Sequence, residues 1–82
     1  MSSPDKLIYM ANQIARFFES QGSEKAVAGT AEHIRKFWDP RMRRQIVGHV
    51  QAGGSGLDPV ARAAIEHLPE IKSAASAATP SG

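Results

Sequence analysis

Three dipeptides constrain this chain more than anything else in it: Ser3-Pro4, Asp39-Pro40 and Asp58-Pro59. In each, a short polar residue stands before proline. Such a residue can accept hydrogen bonds from the free amides at a helix start. Proline is already fixed near helical φ and has no amide to satisfy, so it suits the first helical position. Glycine supplies the opposite mark, at Gly22 and again at Gly53-Gly54, where helices stop. The chain is thereby cut into short pieces, each too short for anything but one helix.

Within the pieces, apolar residues recur at helical spacing. Leu7, Ala11, Ile14 and Phe18 form one row, with Ile8, Met10, Ala15 and Phe17 beside it. That stripe is broad enough for its second row to face a partner. Ser23 is positioned to cap a second helix, with Glu24 at its positive end. Val27, Ala31, Ile34 and Trp38 then share a face, and Gly29 leaves room for a close helix crossing. Met42, Ile46 and Val50 are spaced by four in a third helix. Residues 52–56 read as a flexible connector. They are not a phosphate loop, because no Gly-Lys-Ser/Thr follows and no strand precedes them. Ala61, Ala64, Ile65 and Leu68 make a short fourth stripe that Pro69 ends, with one further turn expected over 70–73. No segment alternates with period two. The expected fold is all-α, a small domain of about four short helices over residues 1–72, with a flexible, disordered tail over 73–82.

Size and composition exclude much. A chain of 82 residues buries only about 60% of its unfolded surface, so its core is thin. It has no room for a cofactor domain beside a substrate domain. It contains no cysteine, which removes disulfides, thiolate metal sites and thiol nucleophiles. His33, His49 and His67 are the only histidines and show no zinc-ligand spacing. The eight acids are scattered, and nothing resembles a catalytic triad or a nucleophile elbow. We therefore expect no catalytic residue and no metal site. No apolar run is long enough to span a bilayer, and the N-terminus is too polar for a signal peptide. A cytoplasmic protein without a membrane partner is expected.

Charge is concentrated rather than abundant. The formal net charge is +2, yet Arg35, Lys36, Arg41, Arg43 and Arg44 crowd into ten residues against Asp39 alone. Three of these arginines fall in the first turn of the third helix, where cations oppose the helix dipole. A local rule broken in this way often marks a functional site. Phe37 and Trp38 lie among the cations, and Trp, Arg and Phe are the residue types enriched at interface hot spots. The expectation is a partner-binding patch: Trp38 at least partly exposed as the anchor, Arg41, Arg43 and Arg44 around it, and Arg35, Lys36 and Phe37 adjoining. The alternative is a helix-turn-helix-like nucleic-acid binder with its first-turn arginines on phosphates. The modest overall charge and the lack of a second basic surface weigh against it.

Three ordered stretches carry a resemblance. They are Met10-Ala11-Asn12-Gln13-Ile14-Ala15-Arg16-Phe17-Phe18, then Ala31-Glu32-His33-Ile34-Arg35-Lys36-Phe37-Trp38-Asp39-Pro40-Arg41-Met42-Arg43, and Gly53-Gly54-Ser55-Gly56-Leu57-Asp58-Pro59. Together they resemble the delta subunit of NAD-dependent, molybdenum-containing formate dehydrogenase, over about residues 7–68. The middle stretch is the most specific. The resemblance implies a small cytoplasmic bacterial protein made with the catalytic, iron–sulfur and flavin subunits of an enzyme that oxidises formate to carbon dioxide with NAD. In that complex the molybdenum bis-pterin guanine dinucleotide, the iron–sulfur clusters and the flavin belong to the larger subunits. The resemblance implies no catalytic residue and no stably bound cofactor here. It implies an accessory role in assembly, stability or cofactor insertion, with the catalytic subunit as partner and other subunits or maturation proteins as further contacts. A narrower version has the arginines meeting the pyrophosphate of the pterin cofactor during insertion.

Overall fold

The computed structural model describes residues 3–71. Four helices follow in order: α1 (Ser3–Glu19), α2 (Ser23–Phe37), α3 (Pro40–Gln51) and α4 (Pro59–Glu66). One more helical turn covers 69–71. Among the described residues there is no strand. The capping expected of the Ser3 side chain and the tail expected over 73–82 lie outside the described residues.

Asp39 caps α3 as its sequence context predicts. Its backbone is extended and its carboxylate accepts from the Met42 amide at 2.9 Å, with Pro40 following at the first helical position. Asp58 holds the same place before α4, but its side chain makes no capping bond. At α2 the expectation is corrected. Ser23 is the first helical residue, and Gly22 occupies the cap position. The Gly22 carbonyl accepts from Lys25 and Ala26, while its amide closes the end of α1 onto Glu19. One residue therefore ends one helix and begins the next. Its φ of 122° is a conformation that L side chains rarely adopt.

Helices α1 and α4 each pack against the other three elements. The core they enclose draws Leu7, Ala11 and Ala15 from α1, Ile46, Val47 and Val50 from α3, and Ala61 and Ile65 from α4, with Leu68 beyond. On α2 the buried row is Ala26, Thr30, Ile34 and Trp38. This differs from the expected row by one residue over its first half, because Val27 and Ala31 are only half-buried. Gly29 also plays a part other than the expected one. Its space is filled by the Phe18 ring, so the missing side chain seats a ring and not a neighbouring backbone.

The glycine-rich connector is pinned, which corrects its reading as a flexible link. The Gly54 amide donates to the His49 carbonyl at 2.9 Å, and His49 Nε2 lies 2.7 Å from the Ser55 carbonyl. From the other side, Asn12 Nδ2 donates to the Gly56 carbonyl at 2.9 Å and its Oδ1 accepts from the Asp58 amide at 2.7 Å. A single side chain in α1 thus clamps the approach to α4 across more than forty residues of sequence.

Candidate functional site

The basic, aromatic segment divides into an inward and an outward half. Trp38 is 5% exposed and belongs to the core. The expectation of a partly exposed anchor is corrected, and the reason is helical register. Trp38 continues the spacing of four that buries Ala26, Thr30 and Ile34, and α2 ends on it with its amide donating to the Ile34 carbonyl at 2.9 Å.

Arg43 also turns inward. Its Nη1 donates to the Arg35 carbonyl at 2.6 Å, and its Nε stands 2.9 Å from Glu70 Oε2. The second contact is an ion pair rather than an aligned hydrogen bond. A guanidinium at the last turn of α2 complements the negative end of that helix. One of the three first-turn arginines is therefore accounted for by structure: it joins the end of α2, the start of α3 and the turn at 69–71.

Phe37, Arg41, Arg44, Arg35 and Lys36 point outward. Arg35 and Lys36 share Glu32 at 3.9 and 3.7 Å, weak contacts in the open. Among the described residues, Arg41 and Arg44 form no ion pair. Phe37 is 72% exposed and takes the place that Trp38 was expected to hold.

Phe37 is one of three large rings left in water, with Tyr9 at 64% and Phe17 at 60%. They edge one groove along α1, walled by α2 over most of its length and by α3 at the Lys6 end. Its central hollow, of about 350 Å³, is lined by Met10, Ile14, His33, Trp38 and Met42 with Tyr9 and Phe37 at its edge. A second hollow of about 260 Å³ continues through Ile14 and His33 to Phe17 and Phe18. A third, of about 240 Å³, continues the other way past Met10 and Met42 to Lys6 and Gln45. The rings form a contiguous row across the two helices. Phe17 meets Phe18 edge-on at 5.1 Å, Phe18 meets His33 at 6.4 Å, and His33 meets Phe37 at 4.7 Å. No carboxylate lines any part of the groove.

Sequence reasoning had named Phe17 and Met10 as a second row but missed Tyr9, whose place on the α1 face is set by the i, i+4, i+8 spacing of Tyr9, Gln13 and Phe17. It also missed Asn12. A poor helix former at the centre of an amphipathic helix was the available signal.

No group of three or more potential metal-ligating side chains occurs among the described residues. No helix among them is long and apolar enough to cross a membrane.

These features define a small all-helical protein whose most developed surface is an apolar, aromatic groove. The family model described as NADH-dependant formate dehydrogenase delta subunit FdsD matches residues 6–65, more than half of the chain, and the chain belongs to that family. Neither a curated protein nor a solved structure matches it. The match takes in α2, α3 and nearly all of α1 and α4.

Proposed function

We propose that this chain is a non-catalytic accessory subunit that docks on the catalytic subunit of NAD-dependent molybdenum formate dehydrogenase and supports its assembly, stability or loading with bis-pterin guanine dinucleotide. Family membership supplies the enzyme. The observation that carries the docking role is three exposed rings on one groove of a chain with a thin core. Phe37, Arg41 and Arg44, with Arg35 and Lys36, form the contact surface, while Trp38 and Arg43 hold that surface in shape from behind.

The chemistry of the complex belongs to cofactors, and the residues here do not suit them. A chain without cysteine offers no thiolate to an iron–sulfur cluster. The amide end of α3 already holds the Asp39 carboxylate, which disfavours a pyrophosphate at the same place. Acidic side chains of a protein partner fit Arg41 and Arg44 better. The inward turn of Arg43 also thins the basic surface that a nucleic-acid backbone would need.

The test is co-expression with the catalytic, iron–sulfur and flavin subunits, with and without this chain. Omitting it should lower molybdenum per catalytic subunit and formate oxidation together. Arg41→Glu with Arg44→Glu should abolish co-purification. Unchanged metal content, activity and co-purification in both experiments would overturn the reading.

A further inference from the structure

The docking role leaves open what the groove accepts. We infer that it seats an amphipathic helix of a larger subunit, about three turns long, with apolar residues directed inward and carboxylates along its edges. This rests on the accessory-subunit reading and adds the chemistry of the occupant.

The groove follows α1 from Lys6 to Phe17, about 16 Å at the helical rise. That is the length of about three helical turns. The described residues offer no strand edge, so the groove gives an occupant no strand to pair with. A segment entering an apolar groove must then satisfy its own amides and carbonyls, which a helix does. Anchors at i, i+3 or i+4 and i+7 are the usual reading of such a groove, and three successive hollows, divided at Met10 and at Ile14 one helical turn apart, suit that stagger.

Charge selects the partner. The basic side chains lining the groove are Lys6 and His33, beside the Tyr9 phenol, and no carboxylate lines it. Of the charged residues next in sequence to groove residues, Glu32 is engaged by Arg35 and Lys36 and Asp39 by the Met42 amide, whereas Arg41, beside Met42, has no ion-pair partner among the described residues. A second copy of this chain is a poor occupant. Symmetric pairing would set the same patch against itself, and that patch, lined by no carboxylate, offers none to the facing copy's Lys6. A helix edged with Asp and Glu meets the same cations favourably and docks faster at low salt.

The experiment uses the full chain co-expressed with the larger subunits. A photoreactive benzoyl-phenylalanine replaces Phe37, Tyr9 or, as a control outside the groove, Glu66. In parallel, co-purification is compared for wild type, Phe37→Ser, Tyr9→Ser and Glu66→Gln at low and high salt. The exposure of both rings means that their loss should leave the fold intact, which circular dichroism checks. Positions 37 and 9 should cross-link to one helical segment of a larger subunit that carries acidic residues beside an apolar face. Each serine variant should lose about tenfold in retained complex, added salt should weaken the wild type, and Glu66→Gln should behave as wild type. Cross-links to a second copy, to a segment without acids, or from position 66 alone would overturn the inference while leaving the accessory role intact, as would serine variants that co-purify fully. If wild type itself fails to co-purify, the accessory reading falls and this inference falls with it.

Discussion

Two glycines inside helices should respond to alanine in opposite directions. Gly48 lies within α3, and a Cβ added there meets nothing within 4 Å. Alanine recovers the helix propensity that glycine lacks, about 1 kcal/mol, so Gly48→Ala should stabilise by about that much. Gly29 lies within α2 with the same propensity to gain. Its new Cβ, however, would stand 2.5 Å from Phe18 Cδ1, 2.7 Å from Cε1 and 3.0 Å from Cγ. Turning the ring about its own axis leaves Cγ in place, so the whole side chain must swing or the helices must part. Overpacking of this kind costs about 1–3 kcal/mol. Set against the propensity gain, Gly29→Ala should destabilise by about 1 kcal/mol. The two variants should differ by about 2 kcal/mol, and for a domain of this size each kcal/mol moves Tm by roughly 4–8 °C. Thermal and urea unfolding followed by circular dichroism measure this directly. The clash has its own signature: Phe18→Ala should cost less in the Gly29→Ala background than in wild type. Equal stabilisation by both alanines would refute the reasoning, because Phe18 would then not occupy the space at Gly29.

Three further outcomes follow from other contacts. Thr30 is fully buried and its hydroxyl has no hydrogen-bond partner, so Thr30→Val should stabilise by about 1 kcal/mol in urea unfolding, whereas a loss would reveal a bonded hydroxyl. Arg43→Met breaks a half-buried ion pair with Glu70 and the bond to the Arg35 carbonyl, and should cost about 2 kcal/mol, while Arg35→Met, exposed, should stay within about 0.5 kcal/mol. The Glu19 carboxyl is raised above its ordinary value, first by a hydrogen bond with Asp58, then by desolvation and by the Asp58 charge, with Arg16 opposing. The folded state therefore holds that proton more tightly than the unfolded one. Its contribution is complete below the ordinary carboxylate value and is lost as pH rises through the raised one. Glu19→Gln should flatten this part of the pH–stability curve, and a curve identical to wild type across that window would sink the assignment.

Helix number and the starts of α3 and α4 were legible in the sequence because proline and aspartate act locally, while α2 begins one residue earlier than its serine suggests. Asp39 capped α3 as read. The row on α2 is displaced from its sequence reading because its buried members Ala26 and Thr30 carry little apolar signal, while the larger Val27 beside them is only half-buried. Which members of the basic segment turn inward was not legible. Trp38 is enclosed by packing among helices, and Arg43 finds Glu70 twenty-seven residues away. A composition that suggests an interface says which residue types are present, not which way each one turns. Asn12 was hidden for the same reason, since both of its partners lie across the loop before α4.

The three bare rings also set a rule for how much of this chain a cell can hold. On the docking reading proposed above, a copy without its counterpart would keep an oily seam in contact with water, and exposed apolar patches are a liability for non-specific aggregation. If the groove is the interface proposed, production matched to the larger subunits is what would keep that much aromatic surface covered.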